Sequence, residues 1–173
     1  MSNAGGRRIK RALYVDMGSI TFLTDEQLKR FGKYDLLTAY IDEKKKALEE
    51  YNSSKVKTPD VISNVRRLTN VGTYRAYIEA FLRQDPGIHK KNFTLMVRQL
   101  APTPQGLPIE IYAFTNDTNW THYEGIQSDI FDHLLAIAPE FGIKVFQVPS
   151  GEDVRAFGRG ADVILKQSSR GHE

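Results

Sequence analysis

The sequence predicts an α+β domain in which amphipathic helices alternate with the strands of one antiparallel sheet. Three observations predict it. Tyr74, Tyr77, Ile78, Phe81 and Leu82 recur at helical spacing. Ile109, Ile111 and Ala113 alternate with Glu110, Tyr112 and Phe114, which is the period of a strand. Gly and Pro punctuate the turns between such segments, as in Asp85-Pro86-Gly87 and in Pro102, Pro104 and Gly106.

Taken in order, Arg8 to Val15 reads as the first strand, and the loose alternation from Leu13 to Phe22 bends at Gly18. Thr24-Asp25-Glu26-Gln27 has the pattern of a capping box, in which the Thr hydroxyl and the Gln side chain each answer a backbone amide of the other. Leu28 and Phe31 then face inward, and Leu36, Leu37, Tyr40, Ile41, Leu48 and Tyr51 continue a narrow apolar stripe. Residues 24–65 therefore read as a helical insertion after the first strand, with too few apolar residues to form a domain of their own. Asn70 or Thr73 caps the next helix, and Asp85-Pro86-Gly87 ends it. Thr94 to Leu100 is a strand that returns through the Pro-rich turn to the alternating strand at 109–114. The following helix carries Trp120, Tyr123, Ile130, Leu134, Ile137 and Phe141 on one side. Gly142 suits its C-terminal cap, and Ile143 to Val148 is the last strand. The order β-α-β-β-α-β is that of the ferredoxin-like split βαβ sandwich.

Composition bounds the function. The chain has 173 residues, of which 40% are hydrophobic, enough for one domain with a real core. A net charge of +3 suits a nucleic-acid partner and an ordinary domain equally. With no Cys, a disulfide framework, a thiolate metal site and a Cys nucleophile are excluded. No apolar run is long enough to cross a membrane, and the N-terminus does not read as a signal peptide. Met1-Ser2-Asn3-Ala4 resembles a leader left by an expression vector, so residues 1–6 are read as leader or linker and residues 7–151 as the domain, an excised piece of a longer protein. The Gly- and Ser-rich stretch 152–173 reads as a mobile tail, with Val163-Ile164-Leu165 as a lone strand needing a partner.

Chemistry is scarce. Asp129, Asp132 and His133 share one helix face at metal-ligand spacing, but no second cluster joins them, and no metal or cofactor is expected. His122-Tyr123-Glu124 has the spacing of zinc deaminases without their cysteines. Asn70-Val71-Gly72-Thr73 at a helix start could hold an anion on free amides, although a plain cap accounts for it. Arg7-Arg8-Ile9-Lys10-Arg11 reads as a solvated strand start rather than a phosphate site. Nothing assembles a nucleophile, a base and an orienting group, so the chain does not read as an enzyme.

The sheet is more informative. With helices on one face only, Ile109, Ile111, Ala113, Leu95 and Val97 point to them, and Met96, Arg98, Leu100, Glu110, Tyr112 and Phe114 lie on the open face. Exposed aromatic and aliphatic side chains with an Arg suit a protein contact. RNA-recognition domains stack bases on the same face, but Glu110 opposes phosphate and their Gly-Phe signature is missing.

Several segments carry a resemblance: Leu68 to Tyr77, Thr94 to Pro102, Gly106 to Tyr112, Tyr123 to Leu134, and the basic entry at Arg7 to Arg11. They resemble the C-terminal cytoplasmic domain of bacterial small-conductance-type (MscS-like) mechanosensitive channels, most of all the miniconductance, YbdG-like subgroup, over residues 7 to about 151. The resemblance implies a homo-oligomer, heptameric in the full channel, in the bacterial inner membrane. Pore helices absent from this sequence would anchor it, with this domain on the cytoplasmic side and no nucleic-acid partner. Tension would open such a channel in hypoosmotic shock, and this domain would form part of a cage beneath the pore, contributing to assembly and solute filtering. Met96, Arg98, Tyr112 and Phe114 are then the candidate subunit contact. An RNA-recognition-type module and a small-molecule sensor domain are the alternatives.

Overall fold

A computed structural model describes residues 5–147. The leader at 1–4, Val148, and the tail with Val163-Ile164-Leu165 lie outside them. Strand β1 (Arg7–Val15) is followed by a 3-10 turn at Met17–Ser19 and by helices α1 (Asp25–Gly32) and α2 (Thr38–Lys55). Helix α3 (Asn70–Gln84), strands β2 (Met96–Gln99) and β3 (Leu107–Thr115), and helix α4 (Trp120–Ile137) complete the order. The sheet has three strands in the order β1-β3-β2, and both pairings are antiparallel.

The expected fourth strand does not form as a ladder among the described residues. After α4, a 3-10 turn at Ala138–Phe141 ends at Gly142 in the left-handed region (φ 65°), and the chain then meets β1 only at its end. One antiparallel bridge joins Val145 to Val15. The amide of Asp16 donates to the Lys144 carbonyl at 2.8 Å, and that of Phe146 to the Tyr14 carbonyl at 2.7 Å. This segment makes contact where β1 is finishing, and the description stops two residues past the bridge. The fold shown is thus an α+β domain with a three-stranded antiparallel sheet and four helices, short of the full ferredoxin-like topology. β2 is likewise shorter than the expected Thr94–Leu100 strand. The 3-10 turn, opened by the Asp16 carboxylate accepting from the Gly18 amide, replaces the bend at Gly18.

Hydrophobic periodicity explains the layers. Ile9, Leu13 and Val15 of β1 alternate inward and stand opposite Ala113, Ile109 and Leu107 of β3. From the helices, Tyr74, Ile78 and Leu82 of α3 and Ile130, Phe131 and Leu134 of α4 close the same core. The capping box at Thr24 and Gln27 is present, with both side-chain bonds made. Helices α1 and α2 share this core: Phe31, Leu37 and Ile41 are fully buried, and the Phe31 ring stacks on Phe141 at 4.9 Å. Most of α2 beyond Ile41 is exposed or half-buried, as its charge density requires.

Two junctions fix how the layers meet. Helix α3 is capped by Thr69, whose hydroxyl accepts from the Gly72 amide, and not by Asn70 or Thr73. Asn70 is buried and does something else. Its Nδ2 donates to the carbonyls of Ser19 (2.8 Å) and Phe141 (3.0 Å), and its Oδ1 accepts from the amides of Thr21 and Val71. All four hydrogen-bonding positions of the carboxamide are used, tying three elements together. At the β2–β3 turn, Gly106 has φ 116° and lies so close to β1 that a Cβ would sit 2.4 Å from the Val15 carbonyl oxygen.

Candidate functional site

The open face of the sheet follows from strand register. Met96 stands opposite Tyr112 and Arg98 opposite Glu110, while Arg8 stands opposite Phe114 and Lys10 opposite Tyr112. Pleating puts these side chains on the face away from α3 and α4. Met96, Arg98, Tyr112 and Phe114 therefore share one face. They do not share one environment.

Met96 is 36% exposed and Tyr112 is half-buried. The Arg98 side chain is 43% exposed, and its guanidinium is engaged: Nε and Nη2 lie 2.9 and 2.8 Å from one carboxylate oxygen of Glu110. Glu110 itself is only 7% exposed, so this carboxylate is neutralised at close range and does not act as a free negative charge on the face. Phe114 departs from the expected outward display. The Phe93 ring packs on it at 5.1 Å, Tyr112 meets it edge-on at 5.7 Å, and it is buried. Phe93 is itself stacked by His89 at 4.2 Å, and the His89 amide donates to the Phe114 carbonyl. The connection after α3 folds back along β3 because Asp85 and Gly87 form a tight turn, with the Asp85 carboxylate accepting from the Gly87 amide at 2.7 Å. Side-chain alternation alone could not show this cover, because it comes from an irregular segment.

The basic entry divides by strand alternation. Arg8 and Lys10 are exposed on the open face. Arg7 and Arg11 turn to the helix side, where their guanidiniums lie 4.8 Å from the Tyr123 ring and 4.2 Å from the Phe131 ring. The Tyr123 hydroxyl donates to the Arg8 carbonyl at 2.6 Å, which anchors α4 to this strand. With Arg98 paired to Glu110, Arg8 and Lys10 leave the open face cationic beside aromatic and thioether surface.

The other candidate clusters are not brought together as sites. His133 meets the Tyr77 hydroxyl at 2.7 Å and stacks on Phe81 at 4.2 Å, while Asp129 and Asp132 are exposed. Among the described residues, no three His, Asp or Glu side chains are grouped to hold a metal ion. His122 pairs with Asp117 at 2.7 Å, and Glu124 accepts from the Trp120 indole. Asp117 has a lowered pKa, first because the Asn119 amide donates to it and then because of His122. The amides at the start of α3 are occupied: Val71 by Asn70, Gly72 by Thr69 and Thr73 by the Thr69 carbonyl, so no anion cradle is open there. Trp120, expected on the buried side of its helix, is 67% exposed, because it is the first residue of α4 and lies beyond the sheet that the later turns cover. Phe141, expected on that helix, follows it in the 3-10 turn.

No protein-family model matches the chain. Among the described residues, no helix is long and apolar enough to cross a membrane.

Proposed function

We propose that this chain is the cytoplasmic domain of a tension-gated channel of the small-conductance mechanosensitive type, and that the open face of its sheet meets the next subunit of a ring. The supporting observation is where the resembling segments lie. Leu68 to Tyr77 contains the Asn70 junction. Thr94 to Pro102 and Gly106 to Tyr112 contain β2 and most of β3, and Tyr123 to Leu134 is the body of α4. The segments that carry the resemblance thus supply the sheet, its face and the helices behind it.

The contact reading rests on Met96, Arg98 and Tyr112, an aliphatic, cationic and aromatic set on one face, with Phe114 and Phe93 as its packed floor. Such a contact is weak for one domain alone, because association entropy is unopposed until pore helices hold the subunits in register. In a closed ring this face meets a different patch on the neighbour.

The test uses the complete reading frame from the source gene. The expected result is membrane-spanning segments upstream of residue 5 and tension-dependent currents in membrane patches. A reading frame without such segments, or a membrane protein that passes no current under tension, overturns the reading. Met96→Asp with Tyr112→Asp keeps the domain folded and lowers the yield of full-size oligomer from detergent extracts. A normal-sized oligomer from that double variant overturns the contact. Single-stranded RNA that binds the domain with a steep salt dependence would instead support the nucleic-acid alternative.

A further inference from the structure

A second feature, remote from the sheet face, lies on the helical insertion. Between α1, α2 and the segment leading into α3 is an open cleft of about 550 Å³. That volume lies within the range of small-ligand sites. Its floor is apolar, made by Leu23, Leu28, Leu48 and Leu68. Leu23 is 1% exposed, and its amide donates to the Leu68 carbonyl at 2.8 Å, so the floor is fixed by backbone pairing.

The far wall is clamped. Asn52 of α2 takes both backbone groups of Arg66: its Oδ1 accepts from the Arg66 amide at 3.0 Å, and its Nδ2 donates to the Arg66 carbonyl at 3.1 Å. The Arg66 guanidinium lies 3.9 Å from the Tyr51 ring centroid, and Arg67 reaches across to the Leu23 carbonyl at 2.7 Å. A side-chain amide that copies a strand pairing, together with an Arg that ties wall to floor, holds the cleft in shape before anything enters it.

The charges around it are the informative part. Lys45, Arg66 and Arg67 supply three cations, and Asp25, Glu49 and Asp60 supply three carboxylates. Among the described residues, none of the six is in an ion pair. Both signs therefore stand around one leucine-floored cleft, with Arg66 held over Tyr51, Arg67 on the Leu23 carbonyl, and Lys45 one helical turn from Glu49 on α2. A fatty acid would meet the carboxylates, and a hydrophobic amine would meet the cations. A molecule with both charges on an aliphatic body meets a complement for each.

We propose that this cleft binds a short zwitterionic peptide of two or three residues with aliphatic side chains, its carboxylate toward the Lys and Arg side chains and its ammonium toward the Asp and Glu side chains. The aliphatic side chains lie on the leucine floor. This site shares no residue with the sheet face and is independent of the channel reading.

The experiment is calorimetric and NMR titration of the chain with leucyl-leucine. N-acetyl-leucyl-leucine amide serves as the uncharged analogue, and free leucine as the single residue. Leucyl-leucine should bind saturably and shift the amide resonances of residues 23–28, 45–52 and 60–68. The uncharged analogue should bind at least about tenfold more weakly, because it loses the charge-assisted bonds at both ends. Free leucine, too short to span the floor and both charges, should also bind more weakly. Lys45→Glu and Glu49→Lys, both on the surface of α2, should each weaken leucyl-leucine by about tenfold without changing the thermal midpoint by more than about 2 °C. No saturable binding of leucyl-leucine, equal binding of the uncharged analogue, resonance shifts confined to other residues, or variants that bind like the parent chain would each overturn the proposal.

Discussion

On β3, Leu107, Ile109, Ile111 and Ala113 look toward α3 and α4 and are part of the continuous core, while Pro108, Glu110, Tyr112 and Phe114 look the other way. Both sets contain residues under 10% exposed, but the burial has different origins. The inner set is covered by a dense apolar layer from two helices. In the outer set, burial comes from a few side chains: Arg98 over Glu110, and Phe93 with Tyr112 against Phe114. Burial by a layer is cooperative, since each side chain has many partners and removal of one leaves a void. Burial by one or two neighbours is local and is largely lost when one of them changes. One strand therefore carries a stability face and a face whose properties are set by individual contacts.

The largest effect separating the faces is expected on the inner side. Ile111→Ala and Leu134→Ala each remove a fully buried side chain from the helix–sheet layer and should cost about 2–5 kcal/mol, read as a lower urea midpoint. Phe81→Ala should cost less than Leu134→Ala, because Phe81 is half-buried and stacks on His133 at the rim. Equal losses for the two would show that the rim is as tightly packed as the centre.

The outer side should respond less strongly. Phe114→Ala should cost about 2–3 kcal/mol and Phe93→Ala about 1–2 kcal/mol, since each loses its two ring contacts, Phe114 with Phe93 and Tyr112 and Phe93 with Phe114 and His89. In a double-mutant cycle the two should couple, because they touch; strict additivity would mean that Phe93 is not the cover of Phe114. Arg98→Ala should cost about 1–2 kcal/mol. It strands the nearly buried Glu110 carboxylate, but the half-exposed position of the Arg98 side chain lets water replace part of the pairing. Arg98→Ala combined with Glu110→Gln should recover part of that loss, as measured by thermal unfolding.

The inner side also sets a pH limit. Burial raises the pKa of Tyr74, and less strongly of Tyr77 and Tyr40, above the ordinary phenol value. Their folded-state pKa values exceed the unfolded ones, so the neutral phenols contribute stability that is fully present below about pH 10 and is lost as pH rises above it. Urea midpoints should hold from about pH 8 to pH 9.5 and fall toward pH 11. Tyr74→Phe should flatten that fall. It should also cost about 1 kcal/mol at neutral pH through loss of the bond to the Leu134 carbonyl.

Much of the inner face was legible in the sequence, and much of the outer was not, for one physical reason. Layer burial leaves a periodic trace, so the alternation at 109–114 and the helical spacing at Tyr74 to Leu82 placed the core correctly. The capping box at Thr24 was legible because its chemistry is local, whereas Gly142, expected to cap α4, caps instead the 3-10 turn that follows it. Phe93 on Phe114 was not, because it depends on where an irregular connection crosses the sheet. The cap at Thr69 was missed by one residue, since Asn70 is as good a capping type and its burial depends on Ser19 and Phe141. Periodicity puts Trp120 on the inward side because it gives the side of a helix and not where along it the sheet begins. The fourth strand was read from an apolar run whose described part makes one bridge. The ring, the channel and the contact at Met96, Arg98 and Tyr112 rest on resemblance and surface chemistry, and the experiments above decide them.

The Asn70 carboxamide reaches a carbonyl 51 residues behind it and another 71 residues ahead. On the ribosome the first partner already exists when Asn70 emerges, but the second is not synthesised until the described chain is nearly finished. A nascent chain that stops short of Phe141 would hold one N–H of that amide unanswered in an apolar setting and would leave the Phe31 ring without its stacking partner. The start of α3 and the docking of α1 therefore depend on the same late residue. The consequence is that one residue, Phe141, couples the start of α3 to the packing of α1, so that truncation before it should loosen both together.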